Sequence, residues 1–257
     1  MKRLLDLIFV FIGVILFSPI LILMVLITMI CIIIEDGFPV LYSQKRLGFN
    51  RNEFELFKFR SMIKDAEKET GPVWASKSDD VRLTKTGKFI RKYAIDEIPQ
   101  LINIFKGDIS FVGPRPQVER DVLLYTENEQ KLLTIRPGIT DLASIVFADE
   151  GEILRDCAAP NLEYNRLIRP WKSRLGLIYI ENQSLELDLR LFFLTALVLI
   201  SWPWALKGVH KILCSLEAEE TLIRVCKRKD PLIPYPPPGS SQVVVERTSK
   251  PLKPNSA

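Results

Sequence analysis

LIFVFIGVILFSPILILMVLITMICIII occupies residues 7–34 and carries no charged side chain. As one straight helix these 28 residues would reach about 42 Å, more than the ~30 Å hydrocarbon core of a bilayer. The run is too long for a signal-peptide core, and no small-residue cleavage pattern follows it. Ser18-Pro19 stands near its middle. Proline lacks a backbone donor and clashes with the preceding turn, so a kink or break is expected there. The two arms, about 17 and 23 Å long, could each dip into one leaflet, and neither spans comfortably. Lys2 and Arg3 precede the run; Glu35 and Asp36, then Lys45, Arg46 and Arg51, follow it. Basic residues on both sides fit a re-entrant hairpin with both ends on the cytoplasmic face. A single tilted, kinked transmembrane helix accommodates the same residues, and on physical grounds both readings stand.

Outside this segment the chain is polar enough to fold in water. Residues 37–188 suffice for one domain with a core of its own. Its fold class is α+β and mainly helical. Residues 40–42 and 54–59 read as strands, and 62–69 as a polar helix followed by a loop over 71–85. Short helices are expected at 88–93 and 99–105, an extended piece at 109–112, and a charged helix over 117–133. A helix over 162–181 carries an aromatic and aliphatic face. Residues 185–206 form a second apolar element, uncharged from 191 to 206. Sixteen residues make about 24 Å of helix, short for a crossing. Trp202, Trp204, Lys207 and Lys211 suit an interfacial amphipathic helix over 189–213. The tail over 214–257 is polar, and its proline-rich end beyond Asp230 is expected to be disordered.

Thirty-five basic and 31 acidic residues leave a net charge of only +4. That disfavours a dedicated nucleic-acid binder, where a concentrated basic stripe is expected, and suits residence beside anionic lipid. Four scattered cysteines and the single His210 give no zinc-ligand spacing, no disulfide framework and no histidine-dependent triad.

The chemistry concentrates in Asp96-Glu97-Ile98-Pro99-Gln100-Leu101. Two carboxylates beside a helix start feel its positive end, which favours the ionised form. Ionised and oriented, they can attack an electrophile or hold a divalent metal. Lys58, Arg60, Arg91, Arg115 and Arg136 are among the basic residues around them in sequence, and arginine offers phosphate a planar fork. Arg115 lies between two prolines in Gly113-Pro114-Arg115-Pro116, and Arg136 precedes Pro137-Gly138, so both have restricted backbones. No Walker-type loop or GxGxxG is present. Together these residues point to phosphoryl-type transfer with one substrate in water and one in lipid, a metal neutralising a diphosphate while a carboxylate attacks phosphorus. Adjacent Asp and Glu do not suit glycoside hydrolysis, whose carboxyls flank the sugar.

From about Lys2 to Leu194 the sequence resembles the monotopic phosphoglycosyl transferases, the bacterial sugar transferase family. The resemblance rests on Ser18-Pro19, Gln44-Lys45-Arg46-Leu47-Gly48, Lys58-Phe59-Arg60-Ser61-Met62 and the Asp96–Leu101 stretch. It continues through Lys106-Gly107-Asp108-Ile109-Ser110-Phe111-Val112-Gly113-Pro114-Arg115-Pro116 and Arg136-Pro137-Gly138-Ile139-Thr140. It implies transfer of a sugar-1-phosphate from a UDP-sugar to polyprenyl (undecaprenyl) phosphate, releasing UMP and initiating glycan assembly. It implies Asp96 as the nucleophile of a covalent phosphosugar intermediate and Glu97 as the residue associated with Mg²⁺. Lys58, Arg91, Arg115 and Arg136 become phosphate binders by the same implication, with Arg60 beside them. The hairpin reading of residues 1–36, broken at Ser18 and Pro19, follows too, on the bacterial inner membrane with the catalytic domain on its cytoplasmic face. The partners are then the UDP-sugar, polyprenyl phosphate and membrane lipid, with no nucleic acid; a homodimer stays open. Asp141 and Ser144 depart from the glycine and glutamine usual at these places. The competing expectation is a non-catalytic membrane scaffold of the same fold that recruits later glycosyltransferases.

Overall fold

The computed structural model describes residues 2–66, 80, 82–155 and 157–245, without the side chains of Leu5 and Phe9. Helix α1 (Lys2–Asp36) stays helical through Pro19 instead of breaking there. The adjoining serine offers a reason. Ser18 Oγ donates to the Ile15 carbonyl at 3.0 Å, the acceptor that an N–H at position 19 would have served, so the proline leaves no bare carbonyl. Both ends of α1 are tied to the rest of the chain. Near the start, Lys2 Nζ meets Asp188 at 2.5 Å and Tyr179 at 2.7 Å, and the buried Asp6 carboxylate accepts from Ser110. At the other end Glu35 accepts from the backbone N–H groups of Lys85 and Thr86 at 2.6 and 2.8 Å. Between them Phe11, Leu16, Phe17 and Ile20 are exposed.

Strands β1 (Leu41–Leu47) and β2 (Glu53–Phe59) pair antiparallel, Leu41 opposite Phe59. The two expected strands are present, β1 running further than its short apolar start suggested. Residues 62–66 are not helical: Met62 bridges to Leu83, and Ile63 N donates to the Arg82 carbonyl at 2.8 Å. Pairing with a distant segment overrides the local preference there. Residues 67–69 of that expected helix, and most of the expected loop, lie outside the described residues.

Helix α2 (Lys85–Lys92) starts three residues earlier than its sequence pattern suggested. Thr84 sets the start, its side chain accepting from Gly87 N. Ala94, at φ 54°, turns the chain into a single 3-10 turn, Ile95–Glu97. Ile98 and Pro99 lead on into α3 (Gln100–Lys106), which ends at Gly107 with φ 93°. Strand β3 (Ser110–Val112) then pairs in parallel with β4 (Gly138–Thr140). The expected helix over 117–133 is instead α4 (Glu119–Val122), α5 (Glu127–Gln130) and a further 3-10 turn. A capping box between Thr126 and Glu129 restarts the chain at α5.

The remaining helices are α6 (Leu142–Val146), α7 (Glu150–Ile153), α8 (Pro160–Glu163), α9 (Arg169–Glu181), α10 (Leu185–Ile200), α11 (Trp202–Ser215) and α12 (Glu220–Cys226). A π turn over Tyr164–Ile168 joins α8 to α9, so the helix expected over 162–181 is present with one wider turn. The apolar element expected over 185–206 is two helices divided at Ser201. Trp202 turns inward, its indole N–H donating to the Ile145 carbonyl at 2.9 Å, whereas Trp204 is exposed. The largest core joins α6, α9, α10 and α11 through Leu142, Ile145, Trp171, Leu175, Leu191 and Leu213. Each such side chain contributes roughly 1.5–3 kcal/mol when fully buried.

The proline-rich segment from 231 to 240 is ordered against this core, contrary to its composition. Tyr235 stacks on Trp171 at 4.2 Å and its N–H donates to the Arg166 carbonyl, while Arg174 donates to the Pro236 carbonyl at 2.9 Å. A proline-rich chain is already extended, so it offers carbonyls and rings at a small entropy cost.

Candidate active site

The turn Ile95–Glu97 sits between α2 and α3 and packs against β2. Asp96 is only 5% exposed. Lys58 on β2 reaches over the pair: its Nζ lies 3.8 Å from Asp96 Oδ2 and 2.7 Å from Glu97 Oε1. Arg115 Nη2 contacts the same Glu97 oxygen at 2.5 Å. One carboxylate thus holds two cations beside the other. Ser61, at the end of the Lys58-Phe59-Arg60-Ser61 run, accepts from Arg91 Nε at 2.8 Å and so fixes the arginine that acts on Asp96 through space.

The two carboxylates are differently poised. Burial pushes Asp96 above the ordinary carboxylate range and the Glu97 charge adds to this; Lys58 and Arg91 oppose it. A helix start alone would have favoured the ionised form, but here desolvation outweighs that influence. For Glu97 burial also acts upward, yet Arg115 and Lys58 together hold its carboxyl well below the usual range. Glu97 Oε2 has no hydrogen-bond partner among the described residues, its Oε1 taking both cations.

Arg115 is placed by the close crossing of two loops. Gly113 N donates to the Thr140 carbonyl at 2.9 Å and Gly138 N to the Pro114 carbonyl at 3.1 Å. A Cβ at residue 138 would stand 2.2 Å from Gly113 N, so glycine is required there. Arg46 donates to the Pro116 carbonyl at 3.1 Å and supports the loop from β1. Behind the loop a cleft runs to α6 and α9, lined by Arg115, Asp141, Ser144, Tyr164, Arg169 and Lys172. Asp141 caps α6, its Oδ1 accepting from Ser144 N at 2.7 Å and Ser144 Oγ at 2.6 Å. The two departures at these positions are therefore one local cap. Burial pushes the Asp141 carboxyl upward against those bonds.

Lys58, Arg91, Asp96, Glu97 and Arg115 are thus brought together. Arg60 and Arg136 are placed elsewhere. Arg60 binds the Asp36 carboxylate at 3.1 Å and the Gly37 carbonyl at 2.6 Å, bracing the end of α1. Arg136 donates to the Gly107 carbonyl at 3.0 Å, at the far end of α3 from the carboxylates. Sequence reasoning missed Ser61 and Asn103. Asn103 accepts from Phe57 N and donates to the Glu55 carbonyl, locking α3 onto β2. Both lie in or beside the quoted motifs, but a small polar residue carries no signal of its role until its partner is known.

The pattern of the family described as bacterial sugar transferase matches residues 1–202. The chain is 37% identical to the uncharacterized sugar transferase EpsL of Bacillus subtilis, over 66% of this chain and 75% of that one. It is 34% identical to the UDP-N-acetylgalactosamine-undecaprenyl-phosphate N-acetylgalactosaminephosphotransferase of Aeromonas hydrophila, over 76% of this chain and 42% of the relative. It is 35% identical to the undecaprenyl-phosphate glucose phosphotransferase of Komagataeibacter xylinus, over 63% of this chain and 29% of the relative. The chain thus spans less than half the length of the latter two.

Proposed function

The chain belongs to the bacterial sugar transferase family and is a sugar-phosphate transferase, and on that footing we propose that it moves a sugar-1-phosphate from a UDP-sugar to undecaprenyl phosphate through Asp96. The reading is carried by one observation: Asp96 is buried beside Lys58, while Glu97 holds Lys58 and Arg115 on the same side. An Asp96 oxygen attacks the sugar-side phosphorus; the new O–P bond forms as the P–O bond to UMP breaks, and UMP leaves with the electron pair. A phosphate oxygen of the polyprenyl acceptor then attacks the same phosphorus, and Asp96 leaves as carboxylate. Lys58 and Arg115 stabilise the phosphoryl charge in both steps, and Arg91 favours the ionised nucleophile. The cleft behind Arg115 gives the donor a site whose diphosphate end meets that guanidinium.

Mg²⁺ suits the residues present, since this cation takes one or two carboxylates and completes its shell with phosphates and water. Glu97, with Oε2 unengaged among the described residues, is the residue that would hold it. When bound, it would neutralise diphosphate charge.

On this reading a lipid-borne acceptor calls for a site at the bacterial inner membrane, and a UDP-sugar donor calls for its cytoplasmic face. The re-entrant reading of α1 is supported by where its ends dock. Near its start Arg3 donates to the Ile104 carbonyl, next to Asn103, which bonds Phe57 on β2; at its end Asp36 meets Arg60, just past β2. Residues 57 and 60 are about 10 Å apart at 3.3 Å per residue, whereas a straight helix would separate Arg3 from Asp36 by about 50 Å. Exposed Phe89, Tyr93, Ile102, Phe105, Phe193 and Trp204 suit the interface beside it. The experiment is UMP release across a panel of UDP-sugars, with and without undecaprenyl phosphate. Release with at least one donor, rising with the acceptor, is expected; none with any donor would refute the reading.

A further inference from the structure

The turn Ile95–Glu97, Ile98 (φ −53°, ψ −40°), Pro99 (φ −60°, ψ −17°) and α3 keep one right-handed sense. Gln100 therefore lies one turn beyond Asp96, on the same face. Helical side chains lean toward the N-terminus, over the preceding turn, and here that turn carries the two carboxylates. This face is buried and polar: Asp96 is 5% exposed, Gln100 2% and Asn103 0%. Asn103 has its bonds to β2, and Asp96 has Lys58. Gln100 Nε2, by contrast, is buried and meets no acceptor among the described residues. A buried donor left unpaired costs stability, and such groups call for an explanation beyond packing.

We propose that Gln100 Nε2 is a substrate-binding donor that pairs with a non-bridging phosphoryl oxygen while the phosphosugar is carried on Asp96. The inference rests on the reading of Asp96 as nucleophile. The Asp96 and Glu97 carboxylates are within its turn, yet neither is bonded to it. A phosphoryl group attached to Asp96 brings new acceptor oxygens to that face. Lys58 and Arg115 supply charge there; a neutral amide adds direction without further positive charge, so it does not oppose release to the second acceptor.

The test compares the full-length wild type with Gln100→Met and Gln100→Glu in detergent micelles, using a UDP-sugar on which the wild type is active. Rates of adduct formation on Asp96, read by quenched intact-mass analysis, are measured beside turnover, KM and thermal unfolding. Gln100→Met should form the adduct and turn over at least tenfold more slowly, with KM little changed. It should also unfold at the same or a higher temperature, because methionine removes an unpaired buried donor. Gln100→Glu should be slower still, since it turns an acceptor charge toward the phosphoryl oxygens. A Gln100→Met chain that unfolds several degrees lower, or fails to fold, would mark the residue as a brace and overturn the proposal. An unchanged adduct rate in Gln100→Met, or a Gln100→Glu chain as active as wild type, overturns it alone. No adduct in the wild type overturns the nucleophile reading and this inference with it.

Discussion

Arg115 Nη2 and Glu97 Oε1 lie 2.5 Å apart, and Lys58 Nζ meets the same oxygen from β2 at 2.7 Å. Glu97 therefore works first as an anchor for cations that flank Asp96. Its partner enters from a loop whose path is fixed by Pro114, Pro116 and the Gly113–Gly138 crossing.

The guanidinium plane is what Arg115 contributes beyond its charge. Arg115→Lys keeps the ion pair with Glu97 and loses the fork that could bridge Glu97 and a phosphate. It should fold normally and lose more than about tenfold in turnover, equivalent to ~1.4 kcal/mol of transition-state stabilisation. Turnover measured beside thermal unfolding separates the roles. Near-normal activity, or a much lower unfolding temperature, would make Arg115 an internal support of the loop.

Asp96 is held where burial disfavours its charge. Its folded-state pKa is raised, so the folded chain binds the proton more tightly, and stability falls as pH rises from the ordinary Asp value through the raised one. Near neutral pH the ionised carboxylate is thus a cost in the resting protein. Asp96→Asn removes it and should raise the unfolding temperature there while abolishing the phosphosugar adduct and turnover. An Asp96→Asn enzyme with full activity would remove the residue from the chemistry.

Glu97 behaves in the opposite sense. With its folded pKa depressed, the unfolded chain binds the proton more tightly, so its contribution is fully present above the ordinary Glu value near 4.5 and fades as pH falls below it. Glu97→Gln should lose most activity, need more Mg²⁺, and flatten the acid limb of the stability profile below about pH 4.5. Undiminished wild-type activity in excess EDTA would exclude the metal, leaving the stability prediction to stand separately.

Tyr235 ties the segment after Asp230 to α9 through its stack on Trp171. Tyr235 lies beyond the matched residues 1–202, and Trp171 within them. Tyr235→Ala should cost roughly 1–3 kcal/mol, from lost burial and an aromatic pair worth about 0.5–1.5 kcal/mol, with turnover per folded molecule unchanged. Unaltered thermal unfolding would show that the segment adds nothing to the core.

Local signals carried part of this far. The restrained Arg115 and the apolar run announced themselves because each violates an ordinary surface pattern, whereas the acidic pair, common at a helix start, stood out only beside the motifs around it. The parallel β3–β4 contact did not, since three-residue strands leave no periodicity and their register rests on Gly113 and Gly138. Arg60 and Arg136 looked like their neighbours in charge and spacing; only the positions of Asp36 and Gly107 separate them from the site. The poise of Asp96 was hidden as well, because burial is a property of β2, α2 and α3 together. The ordered proline-rich segment escaped because composition reports no docking partner.

Ser18 and Pro19 provide the remaining test. Ser18 Oγ caps the Ile15 carbonyl that Pro19 cannot serve, and the α1 ends are held by Ile104 and Ser110 at the start and by Arg60 and Lys85 at the finish. On the re-entrant reading, a cysteine added before residue 2 stays on the cytoplasmic side. It should resist a membrane-impermeant thiol reagent in intact cells, in a background without the four native cysteines, and react after lysis. Pro19→Ala restores the backbone donor and removes a residue costing about 3 kcal/mol in a helix interior, which favours a straight crossing. A share of that variant should therefore become labelled from outside. Labelling of the Pro19-containing protein from outside would instead establish a spanning helix. The carboxylate site would keep its geometry, and only the docking of the first ten residues beside Ile104 and Ser110 would need to be redrawn.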